Sequence, residues 1–134
     1  MYHSAEKEFK KIISEGIEAI PKKFLNKLEN VVIIREKHPS SRQIKELKLR
    51  RGWTLFGLYE GIPQTNRGNN YGSVLPDKIT IFQQPIEEEA VSKEELREIV
   101  KNTVWHEIAH HFGMDESQIR KAERRRKNNV KAKN

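Results

Sequence analysis

The chain has 134 residues, 35% hydrophobic and 34% charged, with 26 Lys and Arg against 19 Asp and Glu. That length supports one domain around a modest core, since a chain of this size buries roughly two thirds of its unfolded surface. The absence of cysteine excludes disulfides and thiolate metal ligands, and no stretch approaches the roughly 20 apolar residues that span a bilayer.

The opening Met1-Tyr2-His3-Ser4-Ala5-Glu6-Lys7-Glu8 has no apolar signal-peptide core, so a soluble, cytoplasmic protein is expected. From Ala5 to Ile20, Phe9, Ile12, Ile13, Ile17 and Ile20 recur three and four residues apart, which predicts an amphipathic helix stopped by Pro21. Val31-Val32-Ile33-Ile34 reads as a strand, and His38-Pro39-Ser40-Ser41 as a turn. Ile44 to Arg50 fits a short helix or a polar loop, and Trp53 to Tyr59 a second strand interrupted by Gly57. Gly61 to Asp77 is rich in Gly, Pro and Asn and predicts a long loop on the substrate side, because long loops in compact domains are often functional. Lys78-Ile79-Thr80-Ile81-Phe82 alternates as a third strand that Gln83-Gln84-Pro85 ends. Ser92 with Glu95 three residues on is a capping-box signature, and Leu96, Ile99, Val100, Val104, Ile108 and Phe112 then keep helical spacing up to Gly113. Helices flanking a small sheet make an α+β fold.

The last predicted helix carries His106-Glu107-Ile108-Ala109-His110, the HExxH pattern. Residues four apart leave one helical face together, so the two imidazoles can share one metal ion. Glu107 lies about a quarter-turn away, where its carboxylate can take a proton from a water that zinc has acidified to a pKa of about 7. Catalytic zinc usually has three protein ligands, and Gly113 can reverse the chain so that Asp115 or Glu116 returns to the metal. Glu116 is the favoured third ligand, in the register H-E-x-x-H-x-x-G-x-x-E, and Asp115 the alternative. His111, about 100° around the helix from His110, is expected to pack or support rather than to ligate. The donor set suits zinc, one ion per chain, although the same donors accept manganese, cobalt or iron.

The chain resembles the zincin-like metallopeptidase family of small bacterial proteins, which have a minimal zincin fold. The resemblance rests on Gly57-Leu58-Tyr59-Glu60-Gly61-Ile62-Pro63, Tyr71-Gly72, Leu75-Pro76-Asp77-Lys78-Ile79-Thr80-Ile81-Phe82 and Trp105-His106-Glu107-Ile108-Ala109-His110-His111-Phe112-Gly113. It implies a small mixed sheet with an HExxH helix and flanking helices, His106 and His110 as zinc ligands, Glu107 as catalytic acid and base, and Glu116 at the family's acidic position after the glycine. It also implies peptide or protein substrates, with the strand near Ile79 to Phe82 at the sheet edge where an extended peptide could add. The chain departs from metzincins, because its only methionines, Met1 and Met114, provide no Met-turn downstream of the third ligand.

Tyr59, Arg67 and Tyr71 are candidate donors to an oxyanion, Tyr71 and Arg67 also serving as substrate-binding candidates. Residues 1–118 are expected to form the metallopeptidase domain and 119–134 a basic helical extension. Eight of the 26 basic residues and one of the 19 acidic ones lie in Ser117–Asn134, so this segment holds all of the net +7. Arg120, Lys121, Arg124, Arg125, Arg126 and Lys127 could contact a nucleic-acid backbone as an accessory function, and the absence of interleaved aromatics argues against base stacking. A further alternative is a zinc-stabilised binding module without turnover, which would have no need of Glu107 as a proton acceptor.

Overall fold

The computed structural model describes residues 1–49, 54–61 and 76–114, together with positions 118, 121 and 124. Within these the order is α1 (Glu6–Glu18), α2 (Lys22–Leu25), β1 (Val31–Glu36), α3 (Ser41–Lys48), β2 (Gly57–Glu60), β3 (Asp77–Phe82), α4 (Gln83–Glu89) and α5 (Lys93–His111).

Most elements follow from local chemistry. α1 buries Phe9, Ile12, Ile13 and Gly16 along one stripe, as its spacing predicts. Pro21 ends that helix and also sits at the N-cap of α2, a short turn that hydrophobic spacing is too sparse to reveal. The open choice between helix and loop after Ser41 resolves as helix, because Ser40 Oγ accepts from Gln43 N at 3.1 Å while Gln43 Oε1 accepts from Ser40 N at 2.8 Å. This reciprocal capping box satisfies two of the donors that a helix start leaves free. β2 begins at Gly57 instead of being interrupted by it. β3 ends at Phe82, where α4 starts directly, and Pro85, expected to stop the strand, is the third residue of α4, where its missing N–H falls among first-turn donors that have no intrahelical acceptor.

The sheet order is β1-β3-β2, with β3 parallel to β1 (Ile33 opposite Ile79) and antiparallel to β2 (Tyr59 opposite Ile79). The strand Ile79 to Phe82, expected at the sheet edge, is therefore the central strand, and among the described residues the edges are β1 and β2. Thr80 is fully buried, on the side of β3 where Leu47 of α3, Leu58 and Phe82 form a small cluster. On the other face Tyr59, Ile79 and Ile81 join Phe9, Ile12 and Ile13 of α1 and Val100, Val104 and Ile108 of α5 in the main core. Each such aliphatic or aromatic side chain contributes about 1.5–3 kcal/mol by leaving water.

The N-terminal arm is tied to α4. Glu87 Oε2 accepts from Ser4 N and from Ser4 Oγ at 2.7 Å, and Gln83 Nε2 donates to it at 3.2 Å. Burial of the Glu87 carboxyl raises its pKa, but the Ser4 and Gln83 hydrogen bonds and the charge of His3 outweigh that and leave it below the ordinary glutamate value. Among the described residues no helix is long and apolar enough to cross a membrane. Gln118, Lys121 and Arg124 are helical and exposed, whereas Arg120, Arg125, Arg126 and Lys127 lie outside the described residues.

Candidate metal centre

The two ends of α5 fix where its side chains point. At the start, Ser92 Oγ accepts from Glu95 N at 3.1 Å, and Glu95 Oε1 accepts from Val91 N at 3.3 Å, one residue outside the expected box. At the end, Gly113 takes φ 75°, its N–H donates to His110 O at 2.9 Å, and Met114 N donates to Ala109 O at 3.1 Å. This pair of bonds is the Schellman arrangement, in which a left-handed residue closes the helix and satisfies its last carbonyls. The predicted turn at Gly113 is thus present, immediately after the last histidines.

His106 and His110 sit one turn apart, both partly exposed, with ring centroids 5.0 Å apart and planes inclined at 70°. Glu107 is only 4% exposed. One ligand atom from each of His106, Glu107 and His110 falls within a set spanning no more than 4.8 Å. Two borderline-soft imidazole nitrogens with an adjacent hard carboxylate oxygen make a donor set that fits a divalent transition ion. Both histidine residues keep part of their surface exposed, although His110 Nε2 itself is buried, and Glu107 is set further into the protein.

Gly57 lies against the aliphatic stem of Glu107. A Cβ at that position would lie 2.7 Å from Thr103 Cγ2, 3.3 Å from Glu107 Cγ and 3.3 Å from Thr80 O. Only a residue without a side chain lets β2 come this close to the face of α5 that carries Thr103 and Glu107. A glycine in a strand often marks such a close approach, so the residue gave a signal, but not its partner.

His111 is fully buried, with Nδ1 2.7 Å from Asp77 Oδ2, in keeping with a packed rather than a ligating histidine. The Tyr59 hydroxyl donates to the same Asp77 oxygen at 2.7 Å and the residue is 7% exposed, so its hydroxyl is engaged in the interior instead of facing a cleft as an oxyanion donor. Sequence reasoning gave Asp77 no role. An aspartate opening an apolar strand was the available hint, but its partners lie 18 and 34 positions away. Glu116, Asp115, Arg67 and Tyr71, together with Trp53 and nearly all of the Gly61 to Asp77 loop, lie outside the described residues.

The profile of a family described as zincin-like metallopeptidases matches residues 28–126, roughly three quarters of the chain. Among solved structures, a conserved hypothetical protein from Thermo thermophilus is similar in fold, with a TM-score of 0.50 and 22% identity over 81% of this chain and 94% of that one. No curated protein matches. The mixed α+β architecture, with its small sheet and its histidine-bearing helix, is a minimal zincin fold.

Proposed function

This chain belongs to the zincin-like metallopeptidase family, and from that premise we propose that it is a zinc-dependent peptidase with Glu107 as its general base. The observation that carries the reading is the convergence of His106, Glu107 and His110 within 4.8 Å on the closing turns of α5. His106 and His110 would hold the ion, with Glu116, or Asp115 in its stead, as third ligand beyond the Gly113 turn. Bound there, zinc supplies Lewis acidity toward a water and toward a scissile carbonyl.

The remaining work belongs to the chain. Glu107, set back from solvent against β2, accepts the proton of the attacking water and delivers it to the departing amine. The α5 helix holds that carboxylate in one register relative to the imidazoles, so attacking group and carbonyl meet without a costly search for orientation. β2, an edge among the described strands and adjacent to Glu107 through Gly57, offers backbone groups to an extended peptide. That role, expected for the strand near Ile79, passes to Gly57–Glu60.

The test pairs metal content with turnover. Wild type and Glu107→Gln, purified without added metal, are compared by elemental analysis and by cleavage of a diverse peptide library. The expected result is one zinc per chain in both and a loss of cleavage of about a hundred- to ten-thousand-fold in the variant. Retained zinc with no cleavage by the wild type would favour a non-catalytic binding module instead.

A further inference from the structure

We propose that Asp77 is the positioning residue of this centre: by accepting from both Tyr59 and His111, its carboxylate locks the last turn of α5 onto β2 and so fixes the presentation of His110. The inference rests on the reading of His106 and His110 as metal ligands. Asp77 opens the central strand, where its backbone N–H donates to Asn30 O at 2.9 Å, so its Cα is anchored independently of its side chain. The carboxylate is buried, at 2% residue exposure, and Oδ2 stands 2.7 Å from both the Tyr59 hydroxyl and His111 Nδ1. The Tyr59 hydroxyl donates to Oδ2, and the His111 ring faces the same oxygen through Nδ1, which donates to it when that nitrogen carries the proton. The Tyr59 and His111 rings meet edge-on at 6.0 Å, and Gly61, where the chain leaves β2, packs so closely on Asp77 that a Cβ there would collide with the carboxylate.

One buried carboxylate therefore joins the ligand helix, the edge strand and the exit from that strand. His111 directly follows His110, so a rotation of the helix that swung His110 out of the site would break the His111 bond in the same movement. Charge-assisted bonds to a buried carboxylate are short and strong, and losing one leaves its partner unsatisfied, so the arrangement resists such rotation. Outer groups of this kind typically change metal affinity ten- to a hundred-fold when removed.

The experiment titrates metal-free full-length protein with cobalt, read by its visible absorption, and measures zinc affinity against a competing chelator. Asp77→Asn should weaken zinc binding ten- to a hundred-fold and alter the cobalt bands, while far-ultraviolet circular dichroism of the metal-free variant stays that of the wild type. His111→Asn, whose amide nitrogen can stand in for Nδ1, should bind zinc within a few-fold of wild type, whereas His111→Leu, which fills the same interior without a donor, should lose ten-fold or more. A role in packing alone predicts the reverse order of these two, and that order overturns the proposal even if Asp77→Asn does not fold. Wild-type affinity and spectrum in both Asp77→Asn and His111→Leu also overturn it. A wild type that takes up no cobalt would instead overturn the metal reading beneath it.

Discussion

A single missing side chain decides how near β2 comes to Glu107 on α5. At Gly57 the space a Cβ would need is already taken by Thr103 Cγ2, 2.7 Å away. Gly57→Ala should therefore cost about 1–3 kcal/mol, as over-packing of a filled interior does, visible as a lower unfolding midpoint. Because Glu107 Cγ is the next neighbour, at 3.3 Å, turnover should fall by more than zinc affinity does. Equal losses in both would show that Gly57 matters for stability alone. At this scale the site was only partly legible in the sequence. His106, Glu107 and His110 announce themselves because their relation is local, within five consecutive residues of one helix. Gly57, Thr103 and Asp77 do not, because their partners are reached only when the sheet and α5 pack together.

Among the elements, α5 was the most legible, since both of its ends are marked by residues with one strong conformational preference. Gly113 at φ 75° is the closing one, and left-handed backbone is costly for a residue with a Cβ. Gly113→Ala should lower stability by about 1–2 kcal/mol and Gly113→Asn by less, measured by chemical denaturation. If Glu116 or Asp115 ligates after this turn, zinc affinity should follow the same ranking. α4 was hidden by the common expectation that proline ends regular structure, although two residues into a helix it removes no bond. Sheet order was not legible either. The strands are short, and β3 is central because it pairs with β1 on one side and β2 on the other, partners far away in sequence.

Across the whole molecule, titration and metal both bear on stability. The Glu87 carboxyl has its pKa lowered from 4.5, so it contributes stability that is fully present above about pH 4.5 and is lost as pH falls through the folded value. Wild type should therefore exceed Glu87→Gln in denaturation midpoint near neutrality, and the gap should close as acidification carries the pH below the folded value. A gap independent of pH would mean the arm is held by shape and not by charge. Chelation should lower the melting temperature of the zinc-loaded protein, since an ion that binds only the folded state stabilises it by mass action.

The register of α5 beside β2 also bears on the order in which the protein assembles. His106 and His110 need only one formed helical turn to face each other, and helical turns close in well under a microsecond. The parallel pairing of β1 with β3, Val31 against Asp77, joins distant parts of the chain, the kind of contact that forms slowly. The His106 and His110 imidazoles can thus face each other before Gly57 and Asp77 reach the helix. The His106, Glu107 and His110 cluster, local to α5, would then be formed first, and its surroundings at Gly57 and Asp77 only once the sheet had closed.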